Sequence, residues 1–431
     1  MTEELNLIPS DNPTGKHLMI LGDNPMQETG FGRVVRNLLD RWYATNYFES
    51  IKVWGINYWG MPHNSKAMIY PAGSPEDTRW ESQGNLQRLV TTLSHLPITH
   101  LFIVQDVWAV NPLAQALAQL RKKKGLKTFI YFPVDAPLEP EWLSILDVAE
   151  ISVAYTDYGR EQAMIALRAG AAMKSNKARK ELEEFIKERL TVIPHGVDPA
   201  FSPLDAEAKA EARKQLFSKG AVIDEDFLMV NVNANQRRKG LPQSLQILAE
   251  LKAIRQESDP QFKLYMHMQR ANRREGIDLG LVCRQLGLKE GVDVFFGDPN
   301  FVNGRPMLND EGLNRIYNAA DLYLTTSLGE GWGLGLTEAM AAGTPVAGPG
   351  HTSLAELIGN RGLELPLLQA DVNPLDNSRL RSRVNAAASA ELILDAVRAG
   401  EVTACREAAM EFTGRLSWDE IGGRWMELFQ A

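Results

Sequence analysis

The sequence contains very few cysteines, only Cys283 and Cys405. Each lies in a helix-like pattern, and neither belongs to a CxxC pair, so a disulfide framework and a cysteine-based zinc site are excluded. No apolar run approaches the ~18 residues of a membrane-spanning helix. Residues 1–16 lack the basic start and the apolar core of a signal peptide. These absences predict a cytoplasmic protein.

An excess of positive charge is also missing. With 46 Lys and Arg residues against 54 Asp and Glu residues, the net charge is −8, which argues against non-specific binding of polyanions but not against a local basic groove. The seven histidines are scattered, and no pair has the spacing of metal ligands on a helix. Residues 224–226 spell a DxD motif ahead of an expected strand, where a solvated loop is the simpler interpretation. Neither pattern therefore indicates a metal site.

Short β-branched or apolar runs alternate with helical patterns along the chain. An apolar run at 17–22, for example, precedes an amphipathic pattern at 33–44. Such alternation is typical of parallel α/β sheets, and 431 residues exceed one ordinary core, which indicates two domains. The further expected strands are 51–56, 100–105, 127–133 and 151–156 in the first half, and 227–233, 262–268, 292–297, 321–327 and 344–349 in the second half.

The two alternating series meet near a Pro- and Asp-containing stretch, 200–208, that looks like a linker. We expect an N-terminal domain over residues 1–198, a second domain over 199–412 and a final segment over 413–431. Open α/β sheets bind ligands beyond the carboxyl ends of their strands. A cleft between the two sheets is therefore the expected binding place.

A glycine-rich stretch, SLGEGWGLGLTEAMAAGTPV, lies between an expected strand and an expected helix. Gly331, Gly333 and Gly335 lack Cβ atoms, so a ligand can approach the backbone, and the start of the helix favours a phosphate. Glu330 and Glu338 flank this turn. Carboxylates accept hydrogen bonds from hydroxyls rather than bind phosphates, so the stretch predicts a ligand of the form sugar–diphosphate–ribose. A strand–helix turn with two surface acids is the alternative.

Several stretches together resemble the retaining GT-B glycosyltransferases, in particular the large family-4 group. Glu330 and Glu338 match the E-x7-E pattern of that group, and RRKG at 237–240 resembles its phosphate-clamping motif. The resemblance implies two Rossmann-like parallel-sheet domains that face a central cleft, the first of which binds the acceptor and the second the nucleotide sugar. Further similar stretches are TGFGR at 29–33, IPHGVD at 193–198 and the SW…W segment at 412–428, which in that fold is a helix crossing back to the first domain.

The resemblance also implies roles for individual residues. Glu338 would bind the ribose hydroxyls and Glu330 the donor sugar, while Arg238 and Lys239 would neutralise the diphosphate leaving group. Asp135 is the expected polar residue on the acceptor side, where relatives carry a histidine; a loop or helix-capping role is the alternative. The remaining expected donor contacts are the backbone of Gly331, Trp332, Gly333 and Leu334, the side chain of Arg237, and the amides of Gly30 and Gly32.

We therefore expect a retaining, metal-independent hexosyltransferase that moves a sugar from a UDP-sugar or GDP-sugar to a hydroxyl acceptor. A glycan or glycoconjugate is the expected acceptor, and viral DNA with hydroxymethylated bases is the alternative, given the basic run at 121–124 and the tryptophans of the first half. A nucleotide-sugar epimerase and a non-catalytic nucleotide-sugar-binding protein are alternatives of other classes. The expected assembly is a monomer or a weak dimer.

Overall fold

The chain forms two compact units, one comprising Met1–Gly196 with Trp418–Ala431 and the other comprising Val197–Ser417. Of residues 1–16, which were compared with a signal peptide, only residues 15 and 16 lie within the described residues. The computed structural model describes residues 15–74, 76–172, 175–217, 221–272, 276–297, 301–302, 305–306, 308–373 and 379–431.

In the described part of the first unit, seven parallel strands form one sheet in the order β3-β2-β1-β4-β5-β6-β7. The strands are β1 (His17–Asp23), β2 (Ser50–Ile56), β3 (Met68–Pro71), β4 (His100–Val104), β5 (Lys127–Phe132), β6 (Ile151–Ala154) and β7 (Leu190–Val192). The helices are α1 (Gly30–Ala44), α2 (Gln83–His95), α3 (Val107–Val110), α4 (Ala114–Lys124), α5 (Ser144–Val148), α6 (Asp157–Ala171) and α7 (Asn176–Arg189).

The described part of the second unit contains a six-stranded parallel sheet in the order β10-β9-β8-β13-β14-β15. Its strands are β8 (Phe227–Val232), β9 (Phe262–His267), β10 (Val294–Gly297), β13 (Leu322–Leu324), β14 (Val346–Pro349) and β15 (Leu363–Leu365). Two antiparallel pairs are β11 (Phe301–Val302) with β12 (Arg305–Pro306) and β16 (Asp371–Asn373) with β17 (Arg379–Arg381). The helices are α8 (Ala206–Leu216), α9 (Leu241–Ile254), α10 (Leu279–Gln285), α11 (Asp310–Ala319), α12 (Leu334–Ala341), α13 (Thr352–Ile358), α14 (Ala386–Ala399) and α15 (Arg406–Gly414).

Both strand orders are those of Rossmann-like sheets. In each sheet, the chain first forms a central strand and then adds strands out to one edge. It then adds the remaining strands on the other side of the first strand. The order reverses between β1 and β4 in the first unit and between β8 and β13 in the second. Ligands bind such sheets at this reversal, beyond the carboxyl ends of the strands. The parallel α/β architecture predicted from the alternating sequence pattern is therefore confirmed.

The differences from the predicted elements lie mainly at the edges of the two sheets. Strands β3, β7 and β15 were not predicted; they are short and only partly buried, so they lack the continuous apolar run that marks a central parallel strand. The two antiparallel pairs were not predicted either. The expected linker at 200–208 is shorter than predicted, because Asp205 caps α8 by accepting a hydrogen bond from the amide of Ala208 at 2.8 Å. No described helix is both long enough and apolar enough to span a membrane.

The last helix, α16 (Trp418–Gln430), belongs to the first unit. Trp425 and Phe429, one turn apart, are fully buried. The ring of Phe429 lies 4.8 Å from that of Phe129 and 5.0 Å from that of Trp42, in edge-to-face geometry, and Trp425 contacts Phe102 at 4.7 Å. Such pairs add to the free energy of burial. One face of the first sheet is therefore completed by residues from the end of the chain.

His195, in the IPHGVD stretch, is buried in the same unit. Its Nδ1 lies 2.6 Å from Tyr131 Oη, and its ring stacks on Trp418 at 5.7 Å. Burial lowers the pKa of His195 to about 3, which keeps the imidazole neutral. This histidine therefore has a packing role.

Replacing Phe429 by alanine should destabilise the first unit by about 3–5 kcal/mol, because it removes a fully buried ring and leaves a cavity between aromatic neighbours. Urea denaturation followed by tryptophan fluorescence measures the change. Gln430→Ala is the matched control, since Gln430 is the exposed neighbour on the same helix. Equal denaturation midpoints for the two variants would contradict the assigned packing of α16.

Candidate functional site

Two loops of the second unit leave its sheet at the same edge. One loop, 233–240, follows β8, and the other, 325–333, follows β13. The two strands are parallel neighbours, with Tyr323 paired to Val230, so their carboxyl ends lie side by side. This is where the strand order reverses. The RRKG motif and the glycine turn, about 90 positions apart in the sequence, therefore meet at the place where a Rossmann-like sheet binds its ligand.

Hydrogen bonds join the two loops along their length. The amide of Leu328 donates to the carbonyl of Arg238 at 2.7 Å, and Thr326 Oγ1 donates to the carbonyl of Gly240 at 2.8 Å. Gly240 has a φ of +58°, and a Cβ atom there would lie 2.1 Å from the carbonyl oxygen of Thr326. Only glycine fits this position, so the close approach of the loops depends on the glycine of the RRKG motif.

Glu330 is bound by both cations of that motif. One carboxylate oxygen lies 2.5 Å from Lys239 Nζ, and the other lies 3.2 Å from Arg238 Nη1. Glu330 and Lys239 are buried, whereas the side chain of Arg238 is 38% exposed. Burial by itself would raise the pKa of Glu330, but the charges of Lys239 and Arg238 outweigh it and lower the pKa to about 2. The carboxylate is therefore ionised at neutral pH, and it fixes both cations in position.

Two residues that the sequence did not single out hold the backbone beside Glu330. The amide of Glu330 donates to Thr352 Oγ1 at 3.2 Å. Ser353, fully buried, donates through Oγ to the carbonyls of Glu330 and of Trp332, at 3.0 Å for the latter. Thr352 has a φ of +54°, which is a strained conformation for a β-branched residue. Hydroxyl residues at the start of a helix look like ordinary caps in a sequence, so no sequence signal distinguishes this pair.

Glu338 lies on α12 and is 4% exposed. Its Oε2 accepts a hydrogen bond from Tyr317 Oη at 2.7 Å, which fixes the direction of the carboxylate. Tyr323, on β13, lies near both glutamates: burial raises its pKa, and the charges of Glu330 and Glu338 raise it further. Tyr323 therefore remains neutral, and both tyrosine hydroxyls donate hydrogen bonds in the site. Their type and spacing in the sequence resemble ordinary core positions, and for that reason they were not predicted.

The turn between the two glutamates is shaped by Gly333. Its φ is +118°, and its carbonyl accepts the first bonds of α12, from the amides of Leu336 and Thr337. The N–H groups at a helix start lack intrahelical acceptors and carry a partial positive charge. Trp332 is buried. The other residues expected to contact the nucleotide-sugar donor differ in exposure. Gly331 and Leu334 are half-buried, and Arg237 is exposed.

The other predicted site residues belong to the first unit. Gly30, exposed, begins α1, and the amide of Gly32 donates to Thr29 Oγ1 at 3.0 Å. Thr29 in turn donates to Asp23 Oδ2 at 2.5 Å, so this loop is internally braced at the end of β1. Asp135 is half-buried and lies three positions beyond β5. All three predicted residues thus follow strands of the first sheet at its carboxyl edge.

No group of three or more His, Cys, Asp or Glu side chains suited to a metal ion occurs within the described ranges. In the DxD stretch, Asp224 and Glu225 are exposed. Asp226 is buried, and it accepts a hydrogen bond from the amide of Ile223 at 3.0 Å. This carboxylate therefore closes a turn ahead of β8.

Residues 235–375 match the sequence family described as Glycosyl transferases group 1. This segment contains Arg238, Lys239, Glu330 and Glu338. No curated protein sequence matches the chain.

Several solved structures have the same fold. A sucrose-phosphate synthase from Thermosynechococcus elongatus is similar at 18% identity and a TM-score of 0.65, over 96% of this chain and 98% of that chain. Anabaena Alr3699/HepE, in complex with UDP and glucose, is similar at 14% identity and a TM-score of 0.64, over 96% and 99% of the two chains. An α,α-trehalose 6-phosphate synthase from Burkholderia multivorans is similar at 13% identity and a TM-score of 0.64, over 96% and 98%.

At these identities, the likeness establishes the fold and leaves the substrates open. The fold is GT-B, with two Rossmann-like parallel-sheet domains, and this prediction is confirmed. Taken together, the family match over 235–375 and the GT-B fold support a glycosyltransferase.

Proposed function

We propose that the second unit binds a nucleoside-diphosphate sugar and that the protein transfers the sugar to a hydroxyl acceptor. The observation that carries the proposal is the Glu330 carboxylate, held between Lys239 and Arg238 where the strand order of the sheet reverses. A buried ion pair is costly to desolvate and gives weak evidence of a purely stabilising role. Cations that are fixed beside a helix start are, by contrast, suited to a diphosphate.

Lys239 and Arg238 together carry two formal positive charges, and the single charge of Glu330 balances one of them. A lysine has three N–H donors and an arginine has five, and Glu330 is within hydrogen-bonding distance of one nitrogen of each. When the bond between the sugar and the phosphate breaks, negative charge develops on the leaving diphosphate. Donors that are already fixed, in a site with little water, stabilise this charge without reorganisation. We therefore assign leaving-group stabilisation to Lys239 and Arg238, with Arg237 as an exposed contributor.

The two glutamates have separate roles in this proposal. Glu338, oriented by Tyr317, accepts hydrogen bonds from the ribose hydroxyls. Glu330 accepts from the hydroxyls of the donor sugar. The backbone of Gly331, Trp332, Gly333 and Leu334 lies between the two glutamates in the sequence and approaches the sugar and diphosphate.

We further infer retention at the anomeric carbon, through displacement on the face from which the diphosphate leaves. The bond from the anomeric carbon to the phosphate oxygen breaks, and the bond to the acceptor oxygen forms. The leaving phosphate takes the acceptor proton, so no separate base is required. The resemblance to the retaining group supports this part of the proposal.

A glycan or glycoconjugate is the acceptor that we propose, with Asp135 as a polar contact. Trp59 and Trp108, on segments that follow β2 and β4, are 44% and 47% exposed, and such rings stack on sugars. The basic run that suggested DNA forms the last turn of α4, and Lys124 there donates to the carbonyls of Leu93 and Leu96 at 2.8 Å. A cytoplasmic location, a monomeric or weakly dimeric state, and chemistry without a metal remain predictions.

The proposed function is tested by measuring the binding of UDP-, GDP- and ADP-sugars to the full chain by thermal shift, followed by transfer assays on neutral glycans and hydroxymethylated DNA. Lys239→Gln should weaken nucleoside-diphosphate binding by about tenfold or more, since one charge-assisted hydrogen bond is lost. Lys289→Gln, at an exposed lysine of the same unit, is the control. A donor that binds but is never transferred would contradict the proposed activity, and epimerised donor would support the epimerase instead.

The role of Glu338 is tested with ligands that lack one ribose hydroxyl. Wild type should bind the nucleoside diphosphate about tenfold more tightly than its 2′-deoxy or 3′-deoxy analogue, because a hydrogen bond to a carboxylate is lost. Glu338→Gln should reduce this discrimination, whereas Glu391→Gln, at an exposed position on α14, should retain it. Calorimetric titration measures the affinities. Unchanged discrimination in Glu338→Gln would remove Glu338 from the ribose site.

The ion pair predicts how stability depends on pH. The pKa of Glu330 falls from 4.5 to about 2 on folding, so its contribution to stability is complete above pH 4.5 and is lost as the pH falls towards 2. The unfolding free energy of wild type should therefore approach that of Glu330→Gln across this window, as measured by urea denaturation at each pH. Glu391→Gln should not differ from wild type at any of these values. A wild-type advantage that stayed constant down to pH 2 would contradict the pairing.

A further inference from the structure

A cavity lies in the second unit, away from the two loops described above. It encloses about 390 Å³, a volume within the range of small-molecule sites. Phe227, which begins β8, lines the cavity, as do Asp321 and Pro345, which immediately precede β13 and β14. The cavity therefore lies at the amino edge of the sheet, opposite the edge that carries Glu330. We call it the basal cavity.

Three cations line the basal cavity, and one of them is neutralised. Arg213 Nη1 lies 3.1 Å from Asp321 Oδ2, and its Nη2 donates to the carbonyls of Ile223 and Asp226. Asp321 also accepts from the amide of Leu228 at 2.7 Å. Asp321 is therefore already bound by Arg213 and by the amide of Leu228, and its charge balances that of Arg213.

The other two cations, Lys209 and Arg406, form neither an ion pair nor a side-chain hydrogen bond with any described residue. Both are half-buried. Burial lowers the pKa of Lys209, and the charge of Arg406 lowers it further, against the opposing effect of Asp321. Two like charges thus face one cavity, and the remaining acid that lines it, Asp224, is exposed. An anion between the two cations would relieve their repulsion.

Two arginines that line the cavity each carry a buried donor atom without an acceptor. The Nε atoms of Arg213 and Arg406 are both buried, and neither has a hydrogen-bond partner among the described residues. Buried N–H groups without a partner are uncommon and costly. The guanidinium of Arg406 packs over Gly343, where a Cβ atom would lie 2.9 Å from Nη2. Its position is therefore set by packing and not by a bond to an acceptor.

We propose that the basal cavity binds a phosphate group through the side chains of Lys209 and Arg406. The ligand is a small molecule with a phosphate dianion, either inorganic phosphate itself or a phosphorylated sugar. Arginine and lysine are the side chains that bind phosphate most strongly. This site is separate from the proposed donor site, and its occupancy does not depend on glycosyl transfer.

The test is calorimetric titration of the full chain with inorganic phosphate at constant ionic strength, and then with glucose 6-phosphate. Wild type should show saturable binding, and Lys209→Gln and Arg406→Gln should each weaken it by about tenfold or more. Lys214→Gln is the matched control, because Lys214 is exposed on the same helix and does not line the cavity. Tighter binding of the sugar phosphate than of phosphate would identify the phosphorylated sugar as the ligand.

Further variants separate the basal cavity from the donor site and from misfolding. Lys239→Gln should retain phosphate binding in the basal cavity. Arg406→Lys, which keeps the charge, should bind more tightly than Arg406→Gln. The thermal midpoints of Lys209→Gln and Arg406→Gln in chloride should be no lower than that of wild type, since one of two like charges is removed. The absence of saturable binding at millimolar phosphate, or full binding by both glutamine variants, would overturn the proposal.

Discussion

The buried contact between Glu330 and Lys239 is the interaction on which the rest of the candidate site depends. A carboxylate and an ammonium that are withdrawn from water are stable only when each satisfies the other. At 2.5 Å they do so, and Arg238 adds a second contact from the exposed side. Neighbouring residues maintain this geometry. Gly240 permits the two loops to approach, and the hydroxyl of Ser353 binds the carbonyls of Glu330 and Trp332. The result is a rigid group of charges at the end of a sheet.

Strand order explains why these charges meet. In the second unit, β8 and β13 are neighbours although four strands and several helices lie between them in the sequence. The loop after each strand therefore leaves the same edge, and residues from two distant motifs share one location. Distant residues also meet at the opposite edge of that sheet, where α8 and α15 bring Lys209 and Arg406 to one cavity from widely separated parts of the chain. The two edges differ in what balances the cations. A buried carboxylate balances Lys239 and Arg238 at one edge, whereas Lys209 and Arg406 at the other edge form no ion pair with any described residue.

Most of the central architecture could be predicted from local patterns. Strands buried on both faces, such as β4 and β5, appear as continuous apolar runs, and each expected strand overlaps an observed one. The edge strands β3, β7 and β15 could not be predicted in this way, because half-exposed strands carry no such run. The packing of α16 was open to prediction only through a family resemblance. Its apolar positions indicate a buried face but do not identify Phe102 and Phe129 as its partners.

Glu330 and Glu338 could be singled out from the sequence, because glycine turns and helix starts impose local requirements that are visible in a short stretch. Arg238 and Lys239 were singled out only through the family resemblance. Thr352, Ser353, Tyr317 and Tyr323 could not be identified from the sequence. Each is an ordinary residue type in an ordinary position, and each acts through a contact with a different element. The pairing of Glu330 with both cations was likewise absent from the predicted roles. Local backbone chemistry is encoded in neighbouring residues, whereas the choice of partner follows from which strands become neighbours when the sheet forms.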